Sequence, residues 1–239
     1  MSTIIGKSES KNVELPEPGN YPAICYQLVL IGTIKEKYMD QEEKEVNKMM
    51  ITWELPSEKN VFKEGDEPKP FVVSRFFNKT SDERGNLFKW LTRWSPKINK
   101  DNIHKFDLKL ILGQPCLLSV DVKKRENKRD RLDATGIASV PKGMTIEERT
   151  NEIFFFDVED FDQEKFNTLP EFIREMIVSS KEFKESELSQ EKVLKLAKEA
   201  NGKSSNDSEE EISVEEAESD AFGETKGSEN EAPEEEQFF

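Results

Sequence analysis

One short stretch constrains the fold more than any other: a single helical pattern stands between three strand patterns before it and two after it. Leu87, Trp90, Leu91 and Trp94 recur at i, i+3, i+4 and i+7, which lines one face of a helix. Thr80 and Glu83 have the spacing of a capping box ahead of it, and Ser95-Pro96 ends it. On the N-terminal side, Tyr21 to Lys37 is a long strand pattern rich in Ile, Val, Leu and Tyr, with Gly32 as a bulge or bend. Residues 48–55 alternate, with Met49, Ile51, Trp53 and Leu55 on one face and Met50, Thr52 and Glu54 on the other. A loop with Pro56, Gly65, Pro68 and Pro70 leads to a third strand, Phe71 to Phe77. After the helix, Ile103 to Leu112 fits either a short helix or a strand. Pro115 to Lys123 then alternates, with Cys116, Leu118, Val120 and Val122 on one face, and Leu132 to Val140 follows the basic loop KKRENKRDR.

Three strands, a helix and two strands is the element order of the OB-fold, a five-stranded barrel. The expected class is mainly β: an OB-fold-like five-stranded barrel with one inserted helix, C-terminal amphipathic helices and a disordered acidic tail. Residues 1–18, with Pro16 and Pro18, read as a flexible arm, and residues 19–161 as the nucleic-acid-binding domain. Ile153 to Phe161 adds a strand. Residues 162–202 form a helical extension, with helices expected over Pro170–Ser179 and Ser189–Ala200. Residues 203–239 are the tail.

Charge is informative once it is divided along the chain. The whole carries −15. Residues 203–239 hold 14 acidic side chains against Lys203 and Lys226, whereas Phe71 to Arg131 holds 15 bases and 7 acids. A basic surface attracts phosphate backbones, and a polyanion on the same chain competes for it. The tail has too little apolar area to offset ordering entropy. It ends on Phe238 and Phe239 directly after Glu234, Glu235, Glu236 and Gln237, an aromatic tip held out for partners.

An OB-like element order with basic, aromatic strands and an acidic tail ending EEEQFF resembles the single-stranded DNA-binding proteins of phage type. The resemblance implies a protein that coats single-stranded DNA in replication, recombination or repair, in the cytoplasm, or the host cytoplasm if the chain is viral. It further implies recruitment of replication or recombination proteins through Glu234, Glu235, Glu236, Phe238 and Phe239. Bacterial tips of this kind usually end in Pro-Phe, and Gln237 stands where that proline would be.

Single-strand binding needs cations for the backbone and flat side chains for stacking. Neighbouring strand residues face opposite ways, so Phe76 and Phe77 cannot both enter the barrel core. With Phe76 inward, Arg75 and Phe77 share the outer face as a stacking platform, followed by Lys79. The alternative makes Phe71, Val73 and Phe77 the core face. Tyr38, at the end of the first strand, is a further stacking candidate. Lys123, Lys124, Arg125, Lys128, Arg129 and Arg131 lie in the connection that OB-folds use to clamp nucleic acid. Trp53, Trp90 and Trp94 sit on apolar stripes and read as core.

No cofactor, metal site or catalytic constellation is expected. His104 is the sole imidazole, Cys25 and Cys116 sit in apolar strand patterns, and no phosphate-binding glycine loop occurs. Met1 to Lys11 has no apolar signal-like core, and no run is long enough to span a bilayer, so no membrane partner is expected. Oligomeric state is not readable. The competing readings are a protein-interaction module with a DNA-mimicking tail, an RNA-binding OB protein and a viral structural or assembly protein. If the tail competes with phosphate, residues 1–202 bind a labelled single-stranded oligonucleotide more tightly than the full chain at low salt, by fluorescence anisotropy; equal affinities would remove the competition.

Overall fold

A computed structural model describes residues 14–37, 42–62, 65–126, 129–186, 188 and 190–201. The sheet is built on one long strand, β1 (Gly19–Glu36). Its first third pairs antiparallel with β4 (Pro115–Lys123), and from Ile24 onward its other edge pairs antiparallel with β2 (Lys44–Asn60). β3 (Lys69–Asn78) adds to β2, and β5 (Arg131–Ala138) adds to β4, both antiparallel. β6 (Phe154–Asp157) runs parallel to β1 at Gln27–Leu30, on the edge that β4 has left. The order is β3-β2-β1-β4-β5, with β6 on β1. This is a six-stranded sheet that does not close; β3 and β5 form its margins without a ladder between them.

Both faces of the sheet are buried over β1, β2 and β3, where two bulges in β1 set which residues face which way, while the outward side of β4 and β5 stays open. The β1–β2 register shifts between Cys25 and Gln27 and again between Leu30 and Gly32. The first shift moves the inward phase from Ala23 and Cys25 to Leu28 and Leu30, which all join one core. Val29, Ile31 and Ile34 then face a second core. A strand whose sides are both apolar reads as a near-continuous hydrophobic run, as LVLI does here. Gly32 takes a positive φ of 98°, and a Cβ there would lie 2.6 Å from a Glu182 oxygen, so glycine is required.

The first core lies inside the curl of the sheet. Met49, Ile51, Trp53 and Leu55 of β2 meet Phe71, Val73 and Phe77 of β3 there. Helix α1 (Asn86–Trp94) covers them with Leu87, Trp90, Leu91 and Trp94, the stripe expected from their spacing. Trp53 stands 5.8 Å from Trp90 and 6.0 Å from Trp94, and Phe77 meets Trp90 edge-on at 5.3 Å. All three tryptophans are core, as expected. The capping box does not form: the N-cap is Gly85, and Thr80 accepts from the Asp82 amide instead. The ambiguous Ile103 to Leu112 segment becomes two 3-10 turns, Ile103–Lys105 and Leu108–Ile111.

Residues beyond β6 build the second core. Four helices, α2 (Gln163–Thr168), α3 (Glu171–Ser179), α4 (Lys181–Glu185) and α5 (Gln190–Asn201), replace the two expected. Asp162 and Ser180 cap α2 and α4 through their side chains, which makes such short helices possible. Phe166, Ile173, Ile177, Phe183 and Phe156 pack with Met50 and Phe76 on the sheet face opposite α1. The expected helical extension is thus the cover of one sheet face. Glu182 fastens it by accepting from the Thr33 amide at 2.6 Å and its hydroxyl at 2.7 Å. Burial alone would raise the Glu182 carboxyl, but these hydrogen bonds outweigh it and hold the group below its ordinary range.

Charged groups are buried at both ends of β2's outward face. Lys48 is wholly buried and pairs with Glu36 on β1. Glu54, also wholly buried, accepts from the Thr150 and Asn151 amides at 2.7 and 2.8 Å and from the Asn151 side chain. That clamp ties the connection between β5 and β6 across the sheet. Because Phe76 and Phe77 fill opposite cores and are each 1 % exposed, Phe76→Ala and Phe77→Ala should each cost about 3–5 kcal/mol in urea denaturation. A near-neutral result for either would mean that one sheet face is open.

Candidate nucleic-acid interface

The β4–β5 ladder carries its pairing up to Lys123 opposite Arg131, so the basic connection is presented as a hairpin tip. Lys124 and Arg129 are exposed, and Lys123 and Arg125 are half-buried. The Arg125 Nε donates to the Arg129 carbonyl at 2.7 Å, which closes the base of the tip. Arg131 differs from the expectation. As the first residue of β5 it is only 3 % exposed and packs into the body of the protein, so it offers no surface to phosphate. Lys128 lies outside the described residues, as do Tyr38, Glu234, Glu235, Glu236, Phe238 and Phe239.

The stacking platform expected on β3 is not presented. Phe77 is core, and the outward-facing Phe76 is covered by the second core. Alternation along the strand holds as expected; what fails is the expectation that one sheet face meets water. Arg75 is turned into the gap between the sheet margins. Its Nη1 donates to the Ala134 carbonyl of β5 at 2.6 Å and lies 3.9 Å from Asp133. Its guanidinium also sits over the Trp90 ring, 5.0 Å from the centroid. Arg75 therefore joins β3 to β5 where no backbone ladder does. Lys79, just past β3, is exposed as expected.

Among the described residues no Phe, Tyr or Trp is fully exposed, although Tyr21, Tyr26, Phe88 and Phe172 are half-buried; the most exposed large apolar side chains are aliphatic or methionine, led by Leu110 at 62 %. Neither cysteine forms a disulfide; both are buried in the first core, and burial pushes both thiols well above their ordinary range. Among the described residues, no cluster of His, Cys, Asp and Glu is placed to hold a metal, and no helix is long and apolar enough to cross a membrane.

A second set of cations was missed by sequence reasoning. Lys89 and Arg93 share a face of α1 at i, i+4, and Lys97, Lys100, Lys105 and Lys109 continue through the 3-10 turns. All but Lys89, which is half-buried, are exposed. Among the described residues none of the six forms an ion pair. Arg84, by contrast, is committed: it grips Asp82 through Nε and Nη2, and those bonds hold the Asp82 carboxyl down to about 2. The signal was legible, since 15 bases over Phe71 to Arg131 are far more than the hairpin and β3 account for.

No protein-family model matches this chain, and no curated protein or solved structure matches it either. The site is therefore argued from its own geometry. Since Arg75 faces the gap between β3 and β5, Arg75→Ala should lower stability by about 1.5–3 kcal/mol, the scale of charge-assisted hydrogen bonds. The same change should leave the salt dependence of oligonucleotide binding untouched. A flattened salt slope at unchanged stability would return Arg75 to the candidate nucleic-acid surface.

Proposed function

We propose that the chain is a non-catalytic single-stranded DNA-binding protein, largely indifferent to sequence, that grips the sugar-phosphate backbone through its β4–β5 hairpin. The observation that carries this reading is the exposed pair Lys124 and Arg129 in the connection beyond the Lys123–Arg131 pairing, with the half-buried Lys123 and Arg125 on either side of Lys124. The strand order supports it. Read around a ring, β3-β2-β1-β4-β5 is the order of an OB barrel opened between its third and fifth strands. In that fold the connection between the fourth and fifth strands clamps oligonucleotides. The hairpin occupies that position, and Arg75 spans the opening.

The mode of binding differs from an aromatic platform. With no fully exposed Phe, Tyr or Trp among the described residues, affinity comes from phosphate neutralisation and counterion release, a term that carries no sequence information. The acidic tail serves as a competing polyanion, with its Phe238–Phe239 tip recruiting replication or recombination partners. Such a protein works in the cytoplasm, or in a host's cytoplasm if it is viral.

Lys124→Ala combined with Arg129→Ala should reduce affinity for oligo-dT at low salt roughly tenfold. The magnitude of the salt slope should drop by about 1.4, at about 0.7 for each of the two phosphates left without a cation. Both side chains are exposed, so the melting temperature should not move. Unchanged affinity and slope in the folded variant would sink the hairpin as the binding element.

A further inference from the structure

We infer that the row of cations from Lys89 to Lys109 is a second polynucleotide-binding surface, separate from the hairpin, so that one chain holds two single strands at once. The inference rests on the reading of the hairpin as a single-strand site.

Geometry separates the two surfaces. The Trp94 Nε1 donates to the Pro115 carbonyl at 2.9 Å, and the Ser139 amide donates to the Arg93 carbonyl at 3.1 Å. Those bonds place the end of α1 at the foot of the β4–β5 ribbon, where β4 begins and β5 ends. The hairpin is at the other end. Along the nine residues of β4, at about 3.3 Å per residue, the two ends lie about 26 Å apart. That exceeds the Debye length of about 10 Å at 0.1 M salt, so the two cation sets act on phosphate independently.

The ground between them does not invite a continuous phosphate track. The outward side of the ribbon carries Leu117 and Ser119, then Asp121, exposed, directly opposite Asp133. A strand laid along it from the hairpin toward α1 would pass the exposed Asp121 carboxylate beside Asp133, whose charge Arg75 meets in part from 3.9 Å, before reaching Arg93. Two separate strands avoid that repulsion.

The row itself suits a polymer of regularly repeated negative charge. Six bases over residues 89–109 face only Asp101 and Asp107. Asp107 is occupied locally, its side chain accepting from the Lys109 amide at 2.9 Å. Cations three to five residues apart and outside any ion pair, all but Lys89 exposed, give up little existing interaction when they meet phosphate, apart from the Lys109 ammonium, which lies 4.4 Å from the Phe155 ring centroid. They also fix no base, so the second strand, like the first, is taken without regard to sequence.

The test uses the full chain with two oligo-dT probes of about eight nucleotides, within the usual site-size range for one OB unit, one carrying a donor dye and the other an acceptor. Sedimentation counts strands per protomer. The expected result is two strands per protomer with energy transfer between them. Lys97→Glu, Lys100→Glu and Lys105→Glu together should leave one strand bound through the hairpin, within about twofold of its original affinity, and abolish transfer; Lys124→Glu with Arg129→Glu should leave one strand on the row. One strand per protomer at saturation, with both variants weakening that same event, would establish one continuous track and overturn the inference. Transfer seen only in protein dimers holding one strand each would overturn it too, as would a row that leaves the second oligonucleotide unbound and takes up an acidic protein instead. Loss of all oligonucleotide binding in the wild-type chain would instead refute the single-strand reading itself.

Discussion

β1 is buried on both faces, and almost everything else follows from that. Its two register shifts distribute one apolar run between two cores, with Cys25, Leu28 and Leu30 on one side and Val29, Ile31 and Ile34 on the other. A sheet covered on both faces needs two covering layers. α1 supplies one, and the helices after β6 supply the other. Burial of each large side chain contributes about 1.5–3 kcal/mol, so the second layer is integral to stability rather than an appendage.

On the proposed reading, covering both faces of β1, β2 and β3 moves binding off that part of the sheet. The outward side of β2 and β3, the face that OB proteins commonly use, is occupied by Met50, Phe76 and the Glu54 clamp. Phe77, which looked suited to bases, is a core member packed edge-on against Trp90. On that reading a polyanion meets the hairpin tip at one end of the β4–β5 ribbon and the cations of α1 and the 3-10 turns at the other, with the acidic Asp121 on the open side between them. Arg75 makes the same point from the inside, since the cation most tempting as a base-stacking partner is the one that holds the sheet margins together.

How much was legible depended on whether a pattern carried one constraint or two. β4 was read to its residue limits because Cys116, Leu118 and Val120 alternate with outward residues and nothing competes. α1 was read by its face, although its start was misplaced because Thr80 turns on Asp82 rather than capping a helix. β3 misled at Phe76 and Phe77, where a doublet of aromatics marks a strand buried on both sides. The clue lay elsewhere in the chain, in the unbroken LVLI of β1 and in the apolar stripe of α3 that needed a surface to cover. α2 and α4 were missed because helices of six and five residues are too short to show periodicity; their capping residues Asp162 and Ser180 were the readable trace.

The central claim of the proposed function is that burial of both faces of β1, β2 and β3 leaves phosphate contacts, and not base stacking, to hold a nucleic acid. The salt dependence of oligo-dT binding by the full chain, followed from low salt to about 1 M, where the Debye length is about 3 Å, tests it most directly. The expected result is a straight line of log affinity against log salt that falls to negligible binding at 1 M, since contacts of this kind are displaced by counterions. A substantial affinity persisting at 1 M salt would reveal stacking contributions of about 1–3 kcal/mol per base and contradict the claim.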